Sequence, residues 1–310
     1  MTTATPLLPR FQQDPRSQQL LTVLLGDYWF ARDEPIPSSA LVELLSVFDV
    51  TPRGGRAAIQ RLAQRGFLQS EKSGRRTAYA VTPKSRRQLD AHVRSLFPPR
   101  TPEPWDGTWT LVAYSLPDDA RETRRALRER LRIHGFGNLY DALWMRPGEQ
   151  TTALREISDE LGAIDPDQVT VFTGAQIPRS MSARAVWSAF DLDDVAGAYR
   201  AFIARWGALA DRIPDSPAEL LSGEEALRTR TSIMTDWRAL RRADPHLPAE
   251  LLGVDFPMHE AREVCAKVYD HLGPPAESVF RRILTPHDGE LAQRVSHHTF
   301  AASDSLLGDA

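Results

Sequence analysis

Apolar residues at helical spacing, interrupted by short polar turns, fill the first third of the chain. The segment RSQQLLTVLLGDYWF (16–30) carries leucines three and four positions apart, which predicts a helix with one buried face. SALVELLSVFDV (39–50) repeats this spacing, with Ser38 or Ser39 as its expected N-cap. A third helix is predicted for 51–66.

This third predicted helix, TPRGGRAAIQRLAQRG, has clear signals at both ends. Thr51 is an expected N-cap, Pro52 suits the first helical position, and Gly66 is a stop signal. The following segment, FLQSEKSGRRTAYAVT (67–82), changes to short extended runs around a turn that contains glycine, which predicts a β-hairpin. A fourth helix is predicted directly behind it, before the proline-rich segment FPPRTPEPW.

Farther along, the segments WTLVAYSL, ALWMRP and QVTVFTG are predicted strands that alternate with amphipathic helices. One of these helices is predicted over the whole of DDARETRRALRERLRIHGFG, and from about Ser188 the pattern is mostly helical. We therefore predict an α+β multidomain chain. Its parts are a disordered lead-in at 1–16, an N-terminal domain at 17–97, a linker at 98–104, a middle domain at 105–187, a helical C-terminal domain at 188–290 and a tail at 291–310.

The composition of the 310 residues, 42% hydrophobic and 25% charged, is typical of a soluble globular protein. No apolar run approaches the roughly 20 residues that span a bilayer, and the polar N-terminus has no signal-peptide pattern. Cys265 is the only cysteine, which excludes an intrachain disulfide. We therefore expect a cytoplasmic protein without a membrane partner.

Charge is distributed unevenly along the chain. The formal net charge is −3, but residues 51–100 carry twelve Lys and Arg against two acidic residues, a net of +10. Such a basic module indicates an anionic partner, with nucleic acid first and a membrane surface second, while a solvated basic face is the alternative. The membrane is disfavoured, because the basic residues do not lie opposite an exposed apolar face.

Three helices closed by a hairpin are typical of a winged helix-turn-helix, whose third helix enters the major groove and whose hairpin, the wing, contacts the backbone or minor groove. In the third predicted helix, Arg and Gln residues at spacings of three or four share the face opposite the apolar stripe. Arg can bridge the two acceptors of guanine, and Gln can bridge adenine. The residues predicted to contact bases are Arg53, Arg56, Ala57, Gln60 and Gln64. Those predicted to contact phosphates from the same helix are Arg61 and Arg65. The predicted contacts from the wing are Arg75, Arg76 and Thr77.

Several segments resemble the PaaX-type repressors, the phenylacetic-acid-degradation regulator family. LLTVLLGDYW, RAAIQRLAQRGFL and GRRTAYAVT are similar to the winged-helix region of that family. WDGTWTLVAYSLP, LRERLRIHGFGNLYDALWMRP and VWSAFDLDDVAGAYRAFIARW are similar to its middle domain, and EAREVCAKVYDHL to its C-terminal domain. The resemblance covers about residues 17–285. Matches to the family's recognition-helix pattern are Arg56, Ala58, Arg61, Leu62, Gly66 and Leu68.

The resemblance implies a homodimeric bacterial repressor that binds an inverted-repeat operator and is released by an acyl- or aryl-CoA thioester. It also implies a ferredoxin-like middle domain, similar to the CRISPR spacer-acquisition nuclease. Gly54 and Gly55 depart from the family pattern, which has Ala-Val or similar there. Because each glycine costs roughly 0.5–1 kcal/mol inside a helix, we expect a loose first turn until DNA orders it.

The likeness to a nuclease leaves a metal-dependent nuclease as the main alternative, with Asp118 or Asp119 as a metal ligand. The competing interpretation is that one of these aspartates caps the next helix. The segment MHEARE has no second histidine of a zinc-protease helix, and no glycine-rich phosphate loop or nucleophile elbow appears. We therefore expect no enzyme activity, catalytic residue, metal or cofactor. A DNA-binding protein without any small-molecule effector is a third possibility.

An acyl-CoA effector would need basic groups for its phosphates and an apolar slot for its acyl part. Basic and aromatic residues cluster in the sequence around GFG. Candidate effector residues are Arg128, Arg132, His134, Trp144 and Arg146. The DNA-binding part is expected to be complete by Phe97, so that a fragment ending there should bind DNA alone.

Overall fold

We describe the chain from a computed structural model. The structure describes residues 16–30, 32–73, 76–97, 104–161, 168–213, 221 and 223–302. These residues form two compact units. The first unit takes its residues from 1–100, 202–239 and 260–310, and the second from 101–201 and 240–259. Among the described helices, none combines the length and the apolar character that crossing a bilayer requires.

Helices and two antiparallel sheets make up the described part of the chain, which confirms the predicted α+β class. The helices are α1 (Arg16–Tyr28), α2 (Ser38–Ser46), α3 (Pro52–Gln64), α4 (Pro83–Leu96), α5 (Arg121–Ile133), α6 (Thr151–Leu161), α7 (Arg179–Ala189), α8 (Leu192–Arg212), α9 (Gly223–Ala243), α10 (Ala249–Leu252), α11 (Met258–His271), α12 (Gly273–Leu284) and α13 (Gly289–Gln293). The strands are β1 (Ile36–Pro37), β2 (Leu68–Ser73), β3 (Arg76–Val81), β4 (Trp109–Tyr114), β5 (Gly137–Tyr140), β6 (Leu143–Pro147) and β7 (Val169–Ala175).

In the first unit, the described strands form a sheet in the order β1-β3-β2. Strand β1 was not predicted, because a two-residue strand that contains a proline gives no periodic signal. It pairs with β3, where Pro37 lies opposite Ala78. Pro37 also occupies the N-cap position of α2 without a side-chain cap bond. The expected cap by Ser38 or Ser39 is therefore wrong, because both serines already lie inside the helix.

A buried arginine, Arg230 of α9, joins several elements of the first unit. Its Nε donates a hydrogen bond to the Tyr269 carbonyl at 3.0 Å, and a terminal nitrogen donates to the His298 carbonyl at 2.5 Å. The guanidinium carbon lies 3.6 Å from the centre of the Tyr269 ring, and another nitrogen lies 4.0 Å from a carboxylate oxygen of Asp27. Because a buried cation is costly without partners, these contacts hold α1, α9, α11 and the segment after α13 together.

The segment after α13, residues 294–302, packs into the first unit. Phe300 is 1% exposed, and its ring contacts Phe97 with the ring centres 4.6 Å apart. Its amide donates a hydrogen bond to a carboxylate oxygen of Asp270 at 2.8 Å. The prediction of a tail from residue 291 is thus wrong up to residue 302, because two widely spaced apolar residues, Val295 and Phe300, give no recognisable pattern.

The N-terminal segment also depends on the C-terminal helices of the same unit. Trp237 donates its indole hydrogen to the Leu96 carbonyl at 2.7 Å, and Phe97 is 4% exposed. Tyr28 is fully buried, with its ring centre 5.3 Å from that of Phe280. A fragment ending at Phe97 would expose these surfaces to water, so the structure does not support the expectation that it binds DNA alone.

The second unit carries the element order β4-α5-β5-β6-α6-β7, and its described strands form a sheet in the order β5-β6-β4-β7. This βαββαβ order fits the predicted ferredoxin-like arrangement. Strand β5 was not predicted: the expected helix ran as far as Gly137, the first residue of this strand, but Gly135, at φ 75°, ends α5 earlier. Gly137 has no room for a side chain, since a Cβ there would lie 2.8 Å from the Ala189 carbonyl and the Phe190 ring. Core residues between sheet and helices are Val112, Tyr114, Leu127, Leu131, Phe136, Trp144, Ala153 and Ile157.

We expect Phe300→Ala to lower the free energy of unfolding by about 3–5 kcal/mol, because it leaves a cavity among buried rings. Urea unfolding of the full chain measures this change. Val254→Ala is the matched control, since Val254 is 100% exposed and its truncation should change stability by less than about 0.5 kcal/mol. Equal stability of the two variants would mean that the C-terminal segment is not part of the core.

Candidate nucleic-acid interface

Helix α3 separates its apolar and polar residues onto opposite sides. The buried side consists of Gly55, Ala58, Ile59 and Leu62. The exposed side consists of Arg53, Arg56, Gln60 and Gln64, with Ala57 half-buried beside them. With 3.6 residues per turn, the four long polar side chains fall within about 80° of arc. The structure thus brings together the side chains that the sequence predicted on one face.

Both ends of α3 have the predicted signals. The Thr51 hydroxyl accepts a hydrogen bond from the Gly54 amide at 3.2 Å, and Pro52 is the first helical residue. Gly66 follows the helix in the left-handed conformation, at φ 74°. The Thr82 hydroxyl donates to the Gly66 carbonyl at 2.9 Å, which links the end of α3 to the base of the hairpin. These bonds fix the helix relative to the strands that follow it.

Gly55 of α3 faces helix α2 at an ordinary packing distance. A Cβ atom built at this position would lie 3.5 Å from a methyl carbon of Leu45 and 3.6 Å from those of Val42. An alanine would therefore fit without displacing its neighbours. Packing does not require glycine at this position, and the expected looseness of the first turn stays a prediction.

The hairpin β2–β3 lies directly after α3 and turns between Ser73 and Arg76, which are opposite each other in the register. Arg76 is exposed and Thr77 is half-buried at the start of β3. Arg75, the other predicted wing residue, lies outside the described residues. The structure therefore places Arg76 and Thr77 at the turn end of the hairpin.

An arginine–aspartate ion pair and a histidine–glutamate hydrogen bond join distant parts of the chain to the turn before α3 and to α2. Arg228 of α9 binds Asp49 with two hydrogen bonds of 2.7 and 3.1 Å, and these bonds hold the pKa of the Asp49 carboxyl below its usual range. His287 lies 2.9 Å from a carboxylate oxygen of Glu43 in α2. Exposed pairs of this kind stabilise little, so their main effect is on orientation. Sequence reasoning missed them because the partners are 179 and 244 positions apart.

Positive charge on this surface is not neutralised within the described residues. Arg53, Arg56, Arg65 and Arg76 are exposed and form no ion pair in the part of the chain that the structure describes. The sequence from 51 to 82 contains a single acidic residue, Glu71. Guanidinium groups without carboxylate partners can bind phosphate oxygens in bidentate fashion.

Three family models match the chain one after another. A model described as PaaX-like protein matches residues 16–85, the PaaX protein central Cas2-like domain matches 102–186, and the PaaX-like protein C-terminal domain matches 190–282. The chain belongs to the PaaX family. A curated relative, transcriptional repressor PaaX of Escherichia coli strain K12, is 28% identical over 261 residues, which cover 83% of this chain and 80% of the relative.

A solved structure shares the fold of this PaaX-family chain. Uncharacterized protein Rv0674 from Mycobacterium tuberculosis matches with a TM-score of 0.55 over 88% of this chain and 97% of its own. The sequence identity is 20%, so the likeness concerns the fold alone.

The predicted effector residues differ in how the PaaX-family fold uses them. Arg128 donates hydrogen bonds to the Tyr114 hydroxyl at 2.7 Å and to the Asp141 carbonyl at 2.9 Å, so its guanidinium fixes a loop. The guanidinium carbon of Arg132 lies 5.5 Å from the centre of the Trp144 ring. Trp144 is 1% exposed and belongs to the sheet–helix core, which leaves it no surface for a ligand.

Arg146 is the predicted effector residue with the most unusual surroundings. It is half-buried over Gly135, where a Cβ atom would lie 3.5 Å from its Nε. Burial lowers the pKa of the Arg146 guanidinium, and no carboxylate among the described residues forms an ion pair with it. Nearby, His134 lies 3.7 Å from a carboxylate oxygen of Glu156. A desolvated cation without a counter-ion is stabilised when an anion binds, so Arg146 is the strongest ligand candidate of the five.

The two aspartates of the alternative nuclease hypothesis, Asp118 and Asp119, are both exposed in the turn before α5. Neither caps the helix: Ala120 holds the N-cap position without a side-chain bond, so the capping interpretation is wrong. The Arg121 amide at the start of α5 instead donates a hydrogen bond to the backbone carbonyl of Asp119 at 2.9 Å. Within the described residues, no group of three or more His, Cys, Asp or Glu side chains could hold a metal ion.

The same substitution at the two ends of α3 should have opposite effects. Gly55→Ala should raise the free energy of unfolding by about 0.4–1 kcal/mol, because it restricts the unfolded chain and fits the packing. Gly66→Ala should lower it by about 1–2 kcal/mol, because an L-residue is strained at that positive φ. Chemical denaturation of both variants measures the difference, and stabilisation by both would contradict the assigned helix end.

Proposed function

We propose that this PaaX-family protein is a transcriptional repressor that binds duplex DNA through a winged helix-turn-helix formed by α1–α3 and β1–β3. The observation that carries the proposal is the exposed Arg and Gln face of α3, held opposite an apolar face and followed by a hairpin with Arg76 near its turn. Helices α2 and α3 pack on each other, and α1 packs on α3. The name of the curated relative supports the same function.

In this proposal α3 is the recognition helix, and its residues have two kinds of partner. Arg56 and Gln60 lie at the middle of the exposed face and contact base edges, where Arg suits guanine and Gln suits adenine. Arg53 and Gln64 extend this face, while Arg61 and Arg65 bind phosphates. The wing residues Arg75, Arg76 and Thr77 contact the backbone and position the helix without reading sequence.

We further propose that the repressor acts in the cytoplasm as a homodimer on an inverted repeat. A two-fold symmetric protein presents two recognition helices, and a palindromic site presents two half-sites with the same symmetry. If each protomer neutralises about four to six phosphates, a plot of log K, the association constant for DNA, against the logarithm of the salt concentration should have a slope of roughly −7 to −11 per dimer.

Two single substitutions test the assigned roles of helix and wing. Arg56→Ala should weaken the free energy of binding to a duplex from upstream of the protein's own gene by roughly 1–3 kcal/mol, because a base contact is lost. The loss on random DNA should be smaller. Arg76→Ala should weaken binding to both duplexes about equally, because a phosphate contact is lost. Fluorescence anisotropy at several salt concentrations measures both. An identical specific-to-random ratio for the two variants would refute the assignment.

We also propose that an acyl- or aryl-CoA thioester releases the repressor by binding in the second unit, with Arg146 holding one of its anionic groups. His134, another predicted effector residue, ends α5 directly before Gly135, over which Arg146 lies, and its ring can form a further hydrogen bond. A tenfold loss of operator affinity requires only about 1.4 kcal/mol of coupling between the sites. By linkage, the ligand must then bind the DNA-free protein about tenfold more tightly than the DNA-bound protein.

Calorimetry of the full chain with a panel of CoA thioesters and free aryl acids tests this effector proposal. Arg146→Gln should weaken binding of any hit by about tenfold or more, because its charge-assisted bond contributes about 1.5–3 kcal/mol. Arg155→Gln is the matched control, since Arg155 is an exposed residue of α6. Should no compound bind, or should hits bind equally with DNA present, regulation by abundance alone would replace the effector.

A further inference from the structure

Helix α5 of the second unit carries an unusual number of arginines. Six of its thirteen residues are arginine. Four of them follow one another at spacings of four, three and four, and with 3.6 residues per turn they fall within about 60° of arc. We call these four the arginine row: Arg121, Arg125, Arg128 and Arg132.

The two arginines of α5 outside the row have structural partners. Arg124 donates hydrogen bonds to the carbonyls of Leu116 and Pro117 at 2.9 and 3.0 Å. Arg130 lies on the other side of the helix, where its guanidinium is 2.8 Å from a carboxylate oxygen of Glu160 in α6. These two side chains are thus used in holding the unit together.

The row itself is mostly exposed and not neutralised. Arg121, Arg125 and Arg132 are exposed, and none of them forms an ion pair within the described residues. Arg128, in the middle, is held in place by its bonds to the Tyr114 hydroxyl and the Asp141 carbonyl. Arg132 also lies 5.5 Å from the centre of the Trp144 ring, but the Arg121 and Arg125 side chains form no hydrogen bond or ion pair among the described residues. Contacts within the unit therefore do not account for the whole row.

The row is locally unfavourable for the helix that carries it. Like charges three and four positions apart on a helix repel one another. Arg121 also opens the first turn of α5, where the helix dipole favours negative charge. A bound polyanion would remove both penalties at once.

The shape and length of the row fit a nucleic-acid backbone better than a small ligand. Eleven residues of helix extend about 16 Å, and duplex DNA carries one negative charge per about 1.7 Å of its axis. Sites for small ligands are concave, whereas this row runs along the exposed side of a helix. A membrane surface fits poorly, because Glu122 and Glu129 lie beside the row.

We propose that the arginine row of α5 binds the phosphate backbone of duplex DNA, as a second contact surface in addition to α3 and the hairpin. The contact carries no sequence information, because guanidinium groups on phosphates recognise charge and not bases. It would strengthen binding to any duplex and make that binding more sensitive to salt. This inference rests on the proposed function only in taking duplex DNA as the partner.

The test uses the full chain with the triple variant R121Q/R125Q/R132Q and random-sequence duplex DNA. Each lost phosphate contact should reduce the salt slope of log K by about 0.9, so the slope should fall by about 2–3 per protomer and the affinity at low salt by at least about tenfold. The loss should be equal on a duplex from upstream of the protein's own gene. R121K/R125K/R132K should restore most of the affinity, because lysine keeps the point charge.

A charge-matched control separates the row from net charge. R155Q/R184Q/R200Q removes the same charge from the same unit at exposed positions on α6, α7 and α8, away from the row. Equal losses for the two triple variants, with unchanged thermal unfolding, would overturn the proposal. It would also be overturned if the row variant lost affinity for coenzyme A while its DNA affinity and salt slope stayed unchanged.

The outcomes also distinguish this inference from the proposed function. Suppose that Arg56→Ala leaves the ratio of specific to random DNA affinity unchanged, while the row variant shows a smaller slope of log K against log salt. The assignment of α3 as recognition helix is then wrong, and the proposed phosphate contact of the row is supported. Suppose instead that the row variant binds DNA like the unaltered protein, while Arg56→Ala loses specificity. The proposed phosphate contact of the row is then wrong, and the assignment of α3 as recognition helix is supported.

Discussion

The position of the first helix depends on one buried cation. Arg230 has no exposed surface, so its charge must be satisfied inside the protein. It obtains carbonyl bonds from Tyr269 and His298 and a nearby carboxylate from Asp27 of α1. Removing any of these partners would leave a desolvated charge behind. These contacts tie α1 to helices that follow more than 200 residues later in the chain.

That constraint bears on the candidate DNA surface. The polar face of α3 is the exposed one because its apolar face packs against neighbouring helices of the same unit. Arg228 lies two residues before Arg230 on α9 and binds Asp49 in the turn that precedes α3. Through this pair, the helix that holds the buried cation also contacts the turn that precedes α3. The proposed interface is therefore positioned by the unit as a whole, and not by residues 17–97 alone.

Much of the candidate interface was predictable from local signals. The ends of α3 follow from Thr51, Pro52 and Gly66, whose effects on the backbone reach only a few residues. The exposed face follows from 3.6-residue periodicity, which needs no knowledge of the partner helices. Local signals did not predict a strand of only two residues, or a helix start where a backbone carbonyl, and not a side chain, accepts the hydrogen bond. Strand β1 is too short to show a period. At the start of α5, the Arg121 amide donates to the Asp119 carbonyl, whereas the side chain of Asp118 or Asp119 was expected to cap the helix.

The sequence by itself determined the N-terminal helices α1–α4, the hairpin and the charged face of α3, because each depends on residues within a few positions of one another. Short segments along the chain carried the likeness to the PaaX family. The tertiary structure alone decided that residues 294–302 belong to the core, that Trp144 is buried, and that Arg146 is half-buried with no ion-pair partner among the described residues. Burial and ion pairing depend on contacts between residues far apart in the chain. No periodicity or composition encodes which distant side chain will fill a given space, so those facts became visible only once the chain was folded.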